Sequence, residues 1–230
     1  MESKINSLDQ NNDIKVSVFC ITYNHEKYIA QALEGFISQI TDFRYEVIVH
    51  DDASTDNTQK IIQQYVDLHP DLFIPIYETD TQYSIEKERI LRVMGTKARG
   101  KYIAFCEGDD YWVDPYKLQK QYDALEKYPE CGMCFHKVPS VWEDGTLITK
   151  PNTGLRKRNK GYGWNPGVNE KEKVANILWL RRKYPFQTSS HFMRKTTLED
   201  LFNGKAEFVK FLTGDVARIR LALMHGKRSI

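Results

Sequence analysis

The stretch Lys101-Tyr102-Ile103-Ala104-Phe105-Cys106-Glu107-Gly108-Asp109-Asp110-Tyr111-Trp112 joins a short apolar segment to a cluster of carboxylates. Residues 102–106 predict a buried strand, because they are mostly apolar and follow Gly100, which ends a helical pattern. The acids therefore leave the carboxyl end of a strand, where open α/β sheets bind ligands. Their mutual repulsion calls for a divalent cation or a proton. Oxygen ligands suit Mg or Mn, although an acidic turn capped by Asp110 would show the same residues.

The same change from apolar strand to polar loop occurs twice earlier in the chain. Residues 16–20 predict a first strand that runs into Thr22-Tyr23-Asn24-His25, and residues 45–49 predict a second that runs into His50-Asp51-Asp52. Apolar residues at helical spacing follow each strand. Strands that alternate with helices predict a mainly parallel α/β sheet with helices on both faces. The three polar loops should then lie along one edge of the sheet.

The remaining elements are predicted from the same signals. Helical spacing covers residues 29–40, 61–66 and 86–99, and a fourth helix should begin with Asp114 as its N-cap and Pro115 at its first position. Pro75 places a third strand, over residues 72–77, near an edge of the sheet. Beyond Pro129 the pattern predicts extended segments over 131–138 and 188–193 and short helices over 174–180, over 198–202 and after Thr213-Gly214-Asp215.

Composition excludes several classes of protein. The 230 residues, 41% of them apolar, suffice for one substantial core, and a formal charge of +2 gives no reason to expect a nucleic-acid partner. Residues 1–13 are polar and are predicted to form a disordered tail, and no stretch reaches the ~20 apolar residues of a membrane helix. We therefore expect a cytoplasmic protein. Lysine and arginine far outnumber acids over 150–183, which suits an anionic substrate or peripheral contact with the cytoplasmic face of a membrane.

Three stretches carry a family resemblance. Residues 16–24 (VSVFCITYN) with Tyr28-Ile29, residues 47–58 (VIVHDDASTDNT) and residues 100–118 (GKYIAFCEGDDYWVDPYKL) stand in order over about half of the chain. On these motifs the chain resembles the family 2 glycosyltransferases, which have the GT-A nucleotide-sugar fold. The resemblance implies inverting transfer of a sugar from a nucleotide-diphosphate sugar to a hydroxyl of a glycan or lipid-linked glycan, in cell-surface polysaccharide synthesis.

The resemblance also implies roles for individual residues. Thr22 and Tyr23 would line the nucleotide pocket, and Asp52 would meet the base with Asp51 beside it. Glu107-Gly108-Asp109 stands where the family has Asp-x-Asp, so Asp109 would ligate Mn or Mg, and Glu107 would face the ribose or the metal and its water. Asp215 would be the catalytic base, with a plain helix N-cap as the alternative reading.

Two other functions stay open at this point. A nucleotidyltransferase would need a glycine-rich basic loop after the first strand, which Thr22-Tyr23-Asn24-His25 is not. A catalytically inactive binding module for a sugar or a partner is the second. For the glycosyltransferase, we expect residues 14–128 to form the nucleotide-sugar half and residues 129–230 the acceptor half of one domain. Related enzymes often continue beyond the position of Ile230, so a truncated chain is also an expectation.

Overall fold

Strands and helices alternate through the first half of the chain, as the sequence predicts. The computed structural model describes residues 13–83, 87–129, 131–136, 138–139, 141, 145–146, 168–169, 174–175, 187–202 and 228–229. In the first half the elements are β1 (Ile14–Thr22), α1 (Ile29–Ile37), β2 (Arg44–Asp51), α2 (Thr58–Leu68), β3 (Phe73–Tyr77), α3 (Lys87–Lys97), β4 (Tyr102–Glu107) and α4 (Lys117–Lys127). The strands β1 to β4 are parallel neighbours, with β3 at one edge of the sheet, where Pro75 predicts it.

The second half extends this sheet mainly with antiparallel pairs. Its elements are β5 (Cys131–Cys134), β6 (Val168–Asn169), β7 (Val174–Ala175), a 3-10 turn (Thr188–Ser190), β8 (Phe192–Arg194), α5 (Lys195–Phe202) and β9 (Arg228–Ser229). The order across the sheet is β3-β2-β1-β4-β8-β5-β9-β7-β6, with β8 antiparallel to both β4 and β5. The prediction of a helix over 174–180 is wrong at its first two residues, because Val174 and Ala175 pair with Val168 and Asn169 as strands.

Helices cover both faces of the sheet. Alternate residues of β1 point to opposite sides: Val16, Val18 and Cys20 pack with α1, α2 and α4, whereas Phe19 packs with α3 and α5. This alternation follows from the two-residue period of a strand. The predicted α/β architecture with helices on both faces is therefore confirmed. The four cysteines, Cys20, Cys106, Cys131 and Cys134, are all buried free thiols.

A buried polar network fixes β4 beside β1 at the amino end of the sheet. The carboxylate of Glu46 accepts hydrogen bonds from the Ser17 hydroxyl at 2.7 Å and from Nε of Arg99 at 2.6 Å. The Ser17 hydroxyl in turn accepts the N–H of Gly100 at 2.9 Å. A side chain at position 100 would place its Cβ 2.5 Å from the backbone nitrogen of Ser17, so the close approach requires glycine. This network places the opposite, carboxyl end of β4 next to the end of β1.

The fourth helix begins later than predicted. Asp114 and Pro115 precede it, and α4 starts at Lys117 with Tyr116 as its N-cap residue. Asp114 still organises the approach to the helix, since its carboxylate accepts the N–H of Tyr116 at 3.0 Å and its carbonyl accepts the N–H of Lys117 at 3.1 Å. Asp114, predicted as the helix N-cap, thus closes a turn over residues 114–116, and α4 begins at the next residue.

Candidate active site

Strand register brings the three polar loops together, as predicted. Thr22 at the end of β1 lies opposite Asp51 at the end of β2, and Ile21 lies opposite Glu107 at the end of β4. Two further backbone hydrogen bonds continue this pairing into the loops: the N–H of Asp52 donates to Thr22 at 3.0 Å, and that of Gly108 donates to Ile21 at 2.9 Å. Carboxylates from β2 and β4 therefore share one edge of the sheet with the Thr22 loop.

The acidic loop after β4 is closely packed on one side and open on the other. The side chain of Asp109 is 51% exposed, and Glu107 is also exposed. Between them, Gly108 packs directly on Thr22, because a Cβ at position 108 would lie 2.6 Å from Oγ1 of Thr22 and 3.0 Å from Nδ1 of His25. Glycine at 108 lets the backbone approach β1 while the flanking carboxylates face outward.

Asp110 turns inward, unlike its neighbours. Its carboxylate accepts a hydrogen bond from the hydroxyl of Ser189 in the 3-10 turn. Burial raises the pKa of the Asp110 carboxyl above its ordinary value; the Ser189 hydrogen bond opposes this rise and the neighbouring charge of Asp109 adds to it. Asp110 thus ties the acidic loop to a segment nearly eighty residues later in the chain.

Asp51 stabilises its own loop. It is fully buried, and its carboxylate accepts hydrogen bonds from the backbone N–H of Ser54 at 2.9 Å, from the Ser54 hydroxyl and from Nε2 of Gln59 at 2.7 Å. The loop includes Ala53 at a φ of 62°, a left-handed conformation that is uncommon for alanine. The side chain of Asp51 offsets that strain by closing the turn.

Asp52 holds the segment that follows β3. Its two carboxylate oxygens accept the backbone N–H groups of Gln82 at 2.6 Å and Tyr83 at 3.1 Å. Asp52 is only 3% exposed, but each carboxylate oxygen retains a second lone pair that another donor can use. The residues Tyr23 and Tyr83 are 46% and 56% exposed at this end of the sheet. Exposed aromatic residues and a buried hydrogen-bond acceptor therefore lie at the end of the sheet where the resemblance places the nucleotide base.

His25 belongs to this site, although the sequence reasoning treated it only as part of a polar loop. Its Nε2 lies 3.9 Å from Oδ2 of Asp109, and its side chain is 24% exposed. The signal available in the sequence was its position three residues after the end of β1, on the same edge as the acids.

Lys117 is the second site residue that sequence reasoning missed. It is buried, its Nζ donates to Oε1 of Gln121 at 2.6 Å, and the same nitrogen lies 3.9 Å from the ring centroid of Trp112. Trp112 and Gln121 donate in turn to the carbonyls of Ser189 at 3.2 Å and Ser190 at 2.9 Å. Burial lowers the pKa of Lys117 to about 8. One buried ammonium therefore contacts both side chains that hold the turn facing Asp110.

The donor set at the acidic loop fits a hard divalent cation. No group of three or more His, Cys, Asp or Glu side chains in the described part of the chain could hold a metal by itself. Mg and Mn do not need one, since they are commonly held by one or two carboxylates together with substrate phosphates. Asp109, with Glu107 beside it, matches that pattern at an open edge. Asp215, the predicted base, lies outside the described residues.

The mainly parallel sheet, with the carboxyl ends of β1, β2 and β4 gathered at one edge, matches the GT-A fold of solved glycosyltransferase structures such as S. aureus TarS. The chain belongs to glycosyl transferase family 2, because the model of that family, "Glycosyl transferase family 2", matches residues 17–202. The resemblance drawn from the three sequence motifs is thereby confirmed.

One relative carries an informative name. The putative teichuronic acid biosynthesis glycosyltransferase TuaG of Bacillus subtilis is 30% identical over 135 residues, which cover 59% of this chain and 51% of TuaG. The uncharacterized protein Rv1520 of Mycobacterium tuberculosis is 48% identical over 130 residues, which cover 56% of this chain and 37% of Rv1520. The chain thus spans about half the length, or less, of these two relatives.

Two solved structures share the fold. S. aureus TarS 1-349 in complex with UDP superposes with a TM-score of 0.64 at 22% identity, over 94% of this chain and 57% of TarS 1-349. The mannosyltransferase PcManGT from Pyrobaculum calidifontis, in complex with GDP-Man and Mn2+, gives a TM-score of 0.63 at 22% identity, over 95% of this chain and 54% of PcManGT. Among the helices that the structure describes, none is both long enough and apolar enough to cross a bilayer.

Proposed function

We propose that the chain transfers a sugar from a nucleotide-diphosphate sugar to an acceptor hydroxyl, with inversion, during synthesis of a cell-surface polysaccharide. The observation that carries the proposal is the carboxyl edge of the sheet, where the open carboxylate of Asp109 lies beside the Thr22 and Asp52 loops. The family membership and the name of TuaG support the reaction and the polysaccharide context. The complexes of TarS with UDP and of PcManGT with GDP-Man support a nucleotide-sugar donor.

In this proposal the nucleotide lies across the ends of β1 and β2. Thr22 and Tyr23 line its pocket, Asp52 meets the base, and Asp51 keeps the loop between them in shape. Asp109, with Glu107, holds Mn or Mg, as the Mn2+ in the PcManGT complex suggests. The bound cation supplies positive charge that stabilises the departing nucleoside diphosphate. Ser189 and Lys117 hold the acidic loop in place for that task.

Much of the proposed acceptor side, Asp215 included, lies outside the described residues. We assign residues 14–128 to donor binding and residues 129–230 to acceptor binding, with a glycan or lipid-linked glycan as acceptor. Asp215 is the proposed general base, which removes the proton from the acceptor hydroxyl as that oxygen attacks the anomeric carbon. The basic stretch over 150–183 suits a lipid diphosphate or an anionic membrane surface.

Calorimetry with UDP and GDP tests the donor side. Either nucleotide should bind in the presence of Mn and lose its affinity when a chelator removes the metal, because no glycine-rich loop is present in the sequence to hold a diphosphate. Asp109→Asn should abolish the metal-dependent part of the affinity. Asp123→Asn is the matched control, since Asp123 is exposed on α4 and accepts a hydrogen bond from Gln119 of the same helix. Metal-independent binding in the wild type would refute the proposal.

Turnover with the identified donor and acceptor tests the base. Asp215→Asn keeps the shape of the side chain and removes the proton acceptor, so turnover should fall by roughly 10²–10⁴ while nucleotide affinity survives. Near-normal turnover would reduce Asp215 to a helix cap and direct attention to Asp110. Nucleotide binding without any turnover by the wild type would favour the inactive binding module instead.

A further inference from the structure

We infer that His25 binds the diphosphate of the donor by donating a hydrogen bond from Nε2–H to a phosphate oxygen. The inference rests on the proposed function, because it takes the cation at Asp109 to hold the diphosphate. Nε2 of His25 lies 3.9 Å from Oδ2 of Asp109, so a phosphate bound through a cation on Asp109 would come within reach of the imidazole. His25 would then act beside the cation on the charge that grows on the leaving group.

The loop that carries His25 is fixed in place by hydrogen bonds to the loop after β2 and to the first residue of α2. The backbone N–H of His25 donates to Oγ1 of Thr58 at 2.8 Å. Asn24 donates its N–H to Oγ of Ser54 at 2.8 Å, and its side-chain Oδ1 accepts the N–H of Thr55 at 2.8 Å. Glu26 donates its N–H to Asp56 and accepts hydrogen bonds from the backbone and side-chain N–H groups of Asn57. Asn24 also adopts a left-handed conformation, with a φ of 54°. An anchored loop of this kind aims the imidazole at one place, which is typical of a binding group.

The surroundings of the imidazole select its tautomer. Nδ1 is buried beside Gly108 and has no hydrogen-bond partner among the residues that the structure describes, whereas Nε2 faces the carboxylate of Asp109. A proton on Nδ1 would be a buried donor without an acceptor, which is costly. The neutral ring therefore favours the Nε2–H form, which presents a donor to the open side of the site.

This tautomer favours a role for His25 in binding phosphate over a role as a metal ligand. A metal-binding nitrogen must carry a free lone pair, and the other ring nitrogen of a metal-bound histidine almost always donates to a fixed acceptor. Nδ1 of His25 has no such acceptor in the described structure. The hydroxyl of Thr22, 1% exposed, likewise has no partner there, and both atoms adjoin Gly108. Polar groups are thus gathered at the backbone of the acidic loop, next to the predicted diphosphate.

Calorimetry with two ligands, Mn alone and UDP or GDP with Mn, tests the inference. His25→Phe keeps a ring of similar size and removes the donor, whereas His25→Gln keeps an N–H. Loss of a hydrogen bond to a charged group should weaken nucleoside diphosphate binding roughly ten- to 100-fold in His25→Phe, with Mn affinity unchanged and His25→Gln close to the wild type. His69→Phe is the matched control, because His69 is exposed at the end of α2. His25→Ala replaces the Phe variant if thermal unfolding shows that the latter does not fold.

Three results would overturn the inference, and they are distinguishable from one another. Unchanged UDP and GDP affinity in His25→Phe would remove His25 from the site while leaving the proposed function intact. A fall in Mn affinity without nucleotide would make His25 a metal ligand. If the wild type bound neither nucleotide with Mn, the proposed function would fail, and the role of His25 with it.

Discussion

Replacing the buried Lys117 by methionine should change how the stability of the protein depends on pH. Methionine has a similar length and can pack on Trp112, but it carries no charge. At neutral pH the two effects of the change oppose each other. The variant avoids burying an ammonium, whereas it loses the contact with the Trp112 ring, 3.9 Å from Nζ, and the 2.6 Å hydrogen bond to Gln121. The difference in stability at any single pH therefore mixes these effects, and its change with pH carries the information.

The magnitude follows from the pKa of Lys117. Burial lowers the pKa from its ordinary value of 10.5 to about 8 in the folded protein. Between these two pH values the unfolded chain keeps a proton that the folded chain has lost. Stability therefore rises with pH in this window and stays constant, at its lower level, below the folded-state pKa. The rise is about 1.4 kcal/mol per pH unit, about 3 kcal/mol in total and about 2 kcal/mol by pH ~9.5.

Urea unfolding at about pH 7 and about pH 9.5, followed by circular dichroism, measures this difference. The free energy of unfolding of the wild type, relative to Lys117→Met, should increase by about 2 kcal/mol between the two pH values. Other groups that titrate in this range are shared by both proteins. Cys106 and Cys134 lie close enough to Lys117 to interact with its charge, but burial raises the pKa of both thiols above this pH range, so they stay protonated in both folded proteins. Lys120→Met is the control on the same helix, because the side chain of Lys120 is 65% exposed. A difference that stays constant with pH would refute the argument.

Three further predictions concern the acidic loop and the basic stretch. Gly108→Ala should destabilise the fold by about 1–3 kcal/mol, because the added Cβ would lie 2.6 Å from Oγ1 of Thr22, and a thermal shift no larger than that of an exposed helical substitution would contradict this. Ser189→Ala removes the hydroxyl that donates a hydrogen bond to Asp110, and it should weaken Mn affinity several-fold by calorimetry. Unchanged Mn affinity would show that this hydrogen bond does not position the acidic loop for the metal. Because of the basic stretch over 150–183, more of the protein should sediment with anionic vesicles than with neutral ones. Equal amounts in the two pellets would remove the membrane part of the proposal.

The alternation of strands and helices could be predicted because it depends on local periodicity. The sequence shows the parallel strands as apolar runs, and the polar residues that follow these runs mark the strand ends at Thr22, Asp51 and Glu107. Their meeting at one edge follows from the handedness and direction of βαβ connections. The start of α4 was misplaced, because Asp114-Pro115 is equally suitable for a helix start and for the turn that it forms here.

The contacts that shape the site could not be predicted in the same way. A lysine on a helix is usually exposed, and nothing in the spacing of Lys117 shows that the ring of Trp112 covers it. Ser189 reaches Asp110 only because β8 enters the sheet antiparallel to β4, which places the preceding 3-10 turn against the carboxyl end of β4. His25 faces Asp109 only because its loop is anchored to residues after β2. Each of these relations depends on pairing between distant segments.

The position of the acidic loop therefore depends on the surrounding packing as much as on the number of its carboxylates. Gly108 seats it on β1, Ser189 holds Asp110 inward, and Lys117 contacts both Trp112 and Gln121, which hold the turn carrying Ser189. Asp109 is left facing outward because its neighbours on both sides are fixed. A relative that keeps an acid at position 109 but has a larger residue at 108, or no hydroxyl at 189, should hold the cation less firmly. Metal affinity across such variants should then follow the integrity of these supporting contacts, since the ligand itself is unchanged.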